Sequence, residues 1–205
     1  MHEISINLVY EDTLSGAVLR KLLSNSGRNY LEGYSYLSAG YGWIKKKVGG
    51  LNSAARGMPY LILTDLDRYE CPPALLDDWG IEKRHPNLLF SIAVREVEAW
   101  ILASRGAFAK YLSVNEQLIP RNVDGISDPK SLLISIARRS RKKNVRTDIV
   151  PQQGSTAKVG PDYNGSLIYF VENFWDPNVA KGLSPSLRRA MELLDAFQPV
   201  FENPL

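Results

Sequence analysis

The chain reads as an α/β protein: a parallel sheet flanked by helices, continued by a mainly helical C-terminal extension. Tyr60 to Thr64, a continuous apolar run, and Leu88 to Val94 have the composition of strands buried on both faces. A strand, an acidic turn and an amphipathic helix open the chain, in the order that begins a parallel α/β unit. Beyond about Gly106 strand signals cease, and helix alternates with loop.

Ile4, Ile6 and Leu8 alternate with Ser5 and Asn7, then Val9 and Tyr10 extend the run, which predicts a first strand. After Glu11-Asp12, the residues Leu14, Val18, Leu19 and Leu22 recur at helical spacing, and Ser24 to Gly27 stop that helix. Glycines 33, 40, 42, 49 and 50 punctuate a weaker stretch, read as a short strand at Tyr34 to Leu37 and a basic, partly helical segment around Lys45, Lys46 and Lys47. Their spacing matches neither a dinucleotide-binding glycine turn nor a P-loop. The third strand, Tyr60 to Thr64, runs into Asp65-Leu66-Asp67. A short helix over Ala74 to Trp79 follows the break at Cys71 to Pro73. The fourth strand then leads into a helix beginning near Glu96. Asp128-Pro129 is a helix start, an N-cap acceptor followed by a proline whose missing N–H does no harm. That helix carries Leu132, Leu133, Ile136 and Ala137 and ends in a basic stretch. Pro151 to Gly165 reads as a long loop, and helices over Leu167 to Phe174 and Leu187 to Phe197 close the chain. An α/β domain over residues 1–105, with a helical extension over 106–205 packed on it, is the expected division.

Bulk properties narrow the function classes. Lys plus Arg number 25 against 22 Asp plus Glu, a net charge of +3 that permits a polyanionic partner without demanding one. Cys71 is the single cysteine, so no intrachain disulfide can form. Met1 to Tyr10 lacks a signal-peptide layout, and no apolar run reaches the roughly 18 residues of a membrane span. A soluble, cytoplasmic protein without a membrane partner is expected. His2 and His85 stand alone, so no zinc ligand set exists.

Chemistry concentrates in the acidic residues. Glu11 follows the first strand, Asp65 and Asp67 the third, and Glu96 and Glu98 the fourth. In an open parallel sheet those strand ends share one edge, where ligands bind. Several carboxylates crowded together repel unless a cation neutralises them, and oxygen ligands suit a hard ion, Mg²⁺ or Mn²⁺. An acidic residue here can instead serve only to cap a helix N-terminus. Capping accounts for any one of the groups, but poorly for all of them on one edge together with Asp-x-Asp after a strongly apolar strand.

A glutamate ending the first strand and Asp-x-Asp ending a later one some fifty residues on resembles the toprim domain of topoisomerases, primases and OLD-family nucleases. The OLD-type branch is most similar, since a further acidic pair follows the next strand, matched by Glu96 and Glu98. The chain also resembles small stand-alone toprim proteins related to RloB, whose genes sit beside ABC- or SMC-type ATPase genes in prokaryotic defence loci. This resemblance implies a nuclease using two metal ions, with Glu11, Asp65 and Asp67 holding one and Glu96 and Glu98 helping to hold a second. Glu11 and a downstream lysine, matched by Lys158, would be catalytic. Toprim domains usually place glycine after the glutamate, whereas Asp12-Thr13 stands here; either the turn differs or Asp12 joins the site.

Arg138, Arg139, Arg141, Lys142, Lys143 and Arg146 form a dense basic stretch suited to a phosphate backbone, with DNA favoured over RNA. A solvated helix end favoured by the C-terminal dipole is its simpler account. Tyr34, Tyr36, Tyr41 and Trp43 could stack on bases, although core packing is expected for most of them. Two other functions fit parts of the pattern. A receiver-like phosphoacceptor would use Glu11, Asp12 and Asp65; a non-catalytic subunit would deliver nucleic acid to a partner ATPase.

Overall fold

The computed structural model describes residues 3–38 and 41–201. Met1, His2, Ala39, Gly40, residues 202–205 and the side chain of Tyr41 lie outside the described residues. The first half alternates strand and helix: β1 (Ile4–Tyr10), α1 (Thr13–Asn25), β2 (Tyr30–Leu37), α2 (Tyr41–Ala54), β3 (Tyr60–Asp65), α3 (Pro72–Asp78), β4 (Leu88–Ala93) and α4 (Val97–Ala103). These strands form one parallel sheet in the order β2-β1-β3-β4. The second half is helical: α5 (Arg105–Leu112), α6 (Pro129–Ala137), α7 (Lys143–Ile149), α8 (Tyr163–Asn173), α9 (Pro177–Ala180) and α10 (Pro185–Ala196). No described helix is long and apolar enough to cross a membrane.

Both sheet faces are covered, and the strand sequences show why. Ile4, Ile6 and Leu8 of β1 join Leu61 and Leu63 of β3 under α1 and the C-terminal helices. Val9, Tyr60 and Ile62 point the other way, into a second core with Ile44 and Val48 of α2 and Leu75 of α3. Side chains alternate along a strand, so a strand covered on both faces must be apolar throughout. The helical extension has no separate core: Leu167, Phe170, Leu187 and Leu194 belong to the same cluster as β1 and α1. Trp100 of α4 is fully buried, and its indole N–H donates to Ser186 Oγ of α10 at 2.7 Å.

Edge strand β2 departs from expectation. It starts at Tyr30 rather than Tyr34, and both its faces are largely open. Tyr34 is 74% exposed, while Trp43 does pack against the second core. Opposite Asn7 the register slips, because Asn7 Oδ1 accepts the Tyr34 N–H at 2.8 Å. A Cβ at Gly33 would lie 2.5 Å from that same oxygen, so the bulge requires glycine there.

The helix expected from Leu167 begins at Tyr163, which shortens the preceding loop. Helices α5, α7 and α9 were not resolved from the sequence as separate elements.

Candidate functional site

Strand order turns back between β1 and β3. From β1 the chain crosses to β2 on one side, and from β2 it returns past β1 to β3 on the other. Helices diverge from such a switch point and leave a crevice outside the strand carboxyl ends. Glu11 leaves β1 at that crevice, and Asp65 is the last residue of β3.

Each acidic side chain is held by identifiable partners. The Thr64 hydroxyl donates to Glu11 Oε1 across the two strand ends. Asp65 Oδ1 accepts the Val97 N–H at 2.9 Å, which caps the first turn of α4 from another element. Asp67 is exposed and adopts φ +49°, a left-handed conformation that aspartate tolerates better than most residues. Its own N–H donates to Arg95 O at 3.1 Å, so this turn ties the end of β3 to the start of α4. Glu96 lies at the α4 N-cap, and its Oε2 accepts the Lys130 N–H of α6 at 2.9 Å. Glu98 is 2% exposed; its Oε1 accepts the Tyr163 hydroxyl at 2.9 Å and lies 3.4 Å from Lys130 Nζ. Its other oxygen, Oε2, is buried without a hydrogen-bond partner.

Capping and charge crowding therefore coexist. Asp12 caps α1 through the Ser15 N–H at 2.8 Å, while Asp65 and Glu96 serve the first turns of α4 and α6. Capping does not discharge the cluster. Burial raises the Asp65 carboxyl well above its ordinary range, and the charges of Glu98, Glu11, Asp67 and Asp12 raise it further. Burial likewise raises Glu11, with Asp67 and Asp12 adding to the effect and Thr64 opposing it. For Glu98 burial again dominates, and Lys130 compensates only in part. Lys130 itself is held above its usual value: burial opposes its charge, but Glu98, Glu96 and Asp65 together outweigh burial.

Among the described residues, no three His, Cys, Asp or Glu side chains are gathered as a ready metal-holding set. The donor chemistry nonetheless suits a hard cation, because every candidate ligand is a carboxylate. Charge points the same way, since one lysine faces the buried Glu98 and the half-buried Glu96 and Asp65, and Glu98 Oε2 is unsatisfied. The fit is thus one of charge and donor type, with Glu11, Asp65, Asp67 and Glu98 as the groups that would close on an ion.

Lys130 and Tyr163 escaped the sequence reading. Lys130 lay hidden in an ordinary helix start, and Tyr163 in a segment read as loop. Lys158, by contrast, is exposed in the loop before α8 and makes no hydrogen bond or ion pair with these carboxylates among the described residues. Within the basic stretch, Arg138, Arg139, Arg141, Lys142 and Lys143 are exposed. Arg146 is half-buried and donates to Ser140 O at 2.6 Å, which ties the α6–α7 turn. Lys142 Nζ lies over the Tyr111 ring, 5.7 Å from its centroid.

Tyr163→Phe is expected to destabilise the metal-free protein by about 1–3 kcal/mol, because a buried carboxylate loses a donor. Denaturant titration checks this, and Mg²⁺ should recover part of the loss if an ion reaches Glu98. Comparison with protein-family models gives no match, and neither the curated proteins nor the solved structures contain one that matches this chain.

Proposed function

We propose that this chain is a divalent-metal-dependent nuclease of toprim type, hydrolysing nucleic-acid phosphodiesters with Mg²⁺ or Mn²⁺. The observation that carries this reading is the run of acids at the strand ends, Glu11 and Asp65 half-buried and Asp67 exposed, beside the buried Glu98, with one lysine, Lys130, set against them. Glu11, Asp65 and Asp67 would hold one ion, and Glu98 with Glu96 would draw a second. Bound there, the ions would supply Lewis-acid and water-activating chemistry.

The chain's own residues do the positioning. Thr64 fixes one oxygen of Glu11, and the Val97 N–H fixes one oxygen of Asp65 while leaving Oδ2 for a ligand. Tyr163 and Lys130 hold Glu98 by a single oxygen. Lys130 also places a positive charge at the acidic edge, where it can meet a phosphate. Lys158 is the competing lysine, favoured by the resemblance alone. Exposed cations from Arg138 to Lys143 would engage the backbone. The preference for DNA over RNA, the ABC- or SMC-type ATPase partner and a role in antiviral defence rest on the resemblance.

A receiver-like phosphoacceptor has one observation in its favour, the strand order, which doubly wound receiver sheets share. Against it, Asp65 is half-buried and one of its oxygens is committed to Val97. DNA and RNA incubated with Mg²⁺, with Mn²⁺ and with excess EDTA decide between the readings. Cleavage should require the metal and vanish in Asp67→Ala. Of Lys130→Met and Lys158→Ala, the variant that lowers kcat far more than it raises KM identifies the lysine acting on the transition state. Cleavage that persists in EDTA overturns the proposal, and labelling of Asp65 by a small phosphodonor without cleavage would favour the receiver.

A further inference from the structure

A second place on the molecule gathers charge of the opposite sign. Between α5 and the link from α6 to α7 lies a cavity of about 570 Å³, within the usual size range of ligand pockets. Lys110 lines it from α5, and Arg139 and Arg141 line it from beyond α6. No carboxylate is among the lining residues, and none of these three side chains has an ion-pair or hydrogen-bond partner among the described residues. Ala109, Val114 and Leu118 supply apolar wall, and Ser113 and Asn115 complete it.

Three like charges, all on exposed side chains, line one concavity, where lining acids would normally offset them. Here nothing in the wall does. The Ser113 hydroxyl and the Asn115 amide nitrogen likewise make no hydrogen bond among the described residues, while Asn115 Oδ1 accepts the Gln117 N–H at 2.9 Å. Ser113 stands at φ +54°, just past the end of α5, where glycine would be accommodated more readily. Serine there keeps a hydroxyl on the wall at a cost in backbone strain.

We infer that this cavity is a binding site for the phosphate group of a nucleotide, with Arg139, Arg141 and Lys110 meeting the phosphate and the apolar wall accepting the base or sugar. Arginine suits this task because its planar fork matches phosphate oxygens bidentately. The site is separate from the acidic edge. Helix α6 has nine residues and is therefore roughly 13 Å long, with Lys130 in its first turn and Arg139 just beyond its last. The inference rests on the proposed phosphate-binding role of the basic stretch, whose Arg139 and Arg141 it uses, but not on the metal, and binding in EDTA tests it without the nuclease reading.

The phosphate can come from a free nucleotide or from the phosphorylated end of a strand, and the probes separate the two. Wild-type protein is titrated in EDTA with pyrophosphate, a nucleoside 5′-monophosphate, and a short single-stranded oligonucleotide bearing either a 5′-phosphate or a 5′-hydroxyl. Arg139→Gln/Arg141→Gln is compared with Arg188→Gln/Arg189→Gln on α10, which changes net charge equally, and circular dichroism verifies both folds. The pocket variant should lose about tenfold or more in affinity for the phosphate-bearing probes, and the α10 variant much less. Tighter binding of the 5′-phosphorylated oligonucleotide than of its hydroxyl twin assigns the pocket to a strand end; binding of the monophosphate assigns it to a free nucleotide. The inference is overturned if no phosphate probe binds, if both double variants weaken binding equally, or if both oligonucleotides bind alike and the monophosphate does not.

Discussion

Without divalent ions at neutral pH, Asp65→Asn will melt several degrees above the wild-type protein and will no longer cleave when metal is restored. Asparagine keeps an oxygen for the Val97 N–H, removes the charge and puts an amide donor where Oδ2 stood among the other acids. The sign follows from linkage. Asp65, Glu11 and Glu98 are all raised in the folded state, so the folded chain holds protons that the unfolded chain releases. Stability from these groups is fully present below the ordinary carboxyl range, about pH 4, and is lost as pH rises through the folded values. Glu32 and Asp128, lowered chiefly by the Arg20 bond and by the Ser131 N–H respectively, act oppositely and matter only as pH falls toward and below that range. Metal-free wild type should therefore lose stability from mildly acidic to neutral pH and regain it with Mg²⁺, whereas Asp65→Asn should show a shallower fall and a smaller metal response. Thermal melts across that range provide the measurement. A variant that melts below wild type would mean that the carboxylate charge is already compensated within the chain.

Trp100→Ala carries the largest expected stability cost. The side chain is fully buried, and it joins α4 to α10 through Ser186. Its backbone carbonyl also accepts the Trp175 indole N–H at 3.0 Å, so two buried tryptophans meet at one junction. Truncating a buried tryptophan costs about 3–5 kcal/mol, which lowers Tm by roughly 6–20 °C in a chain of this size. One cooperative transition, shifted as a whole, is expected from both circular dichroism and tryptophan fluorescence. Loss of the helical part alone, with the sheet melting unchanged, would show that residues 1–105 and 106–205 fold as separate units.

The sheet was legible in the sequence because two-sided burial demands uninterrupted apolar strands, as in Tyr60 to Thr64. The positions of the acids followed from it, since a parallel sheet brings the ends of β1, β3 and β4 to one edge. What the pattern did not give was each acid's partner. Lys130 follows Pro129 in an unremarkable helix start, and only packing of α6 against α4 brings its ammonium to Glu98. Tyr163 is likewise unreadable, because nothing local tells a tyrosine at a loop end that a buried glutamate lies 65 positions away. Burial of β2 was misjudged for a related reason. Tyr34 and Tyr36 have the composition of a core strand, but whether a strand sits at the centre or the edge of a sheet is decided by its neighbours.

Completion of the first core by α8 and α10 shapes how the protein is made. Strands β1 and β3 leave the ribosome long before the helices that cover them. At roughly 5–20 residues per second, the last hundred residues need roughly 5–20 s to emerge. Over that interval the α1 side of the sheet has only α1 and α4 for cover, and the bonds that seal it are among the most distant in the sequence: Tyr30 hydroxyl to Leu194 O at 2.7 Å, and Gly27 N–H to Asp195 Oδ1 at 2.7 Å. The nascent chain must therefore wait, its apolar side only partly covered, for α8 and α10, and during translation it is a substrate for whatever chaperone shields such surfaces.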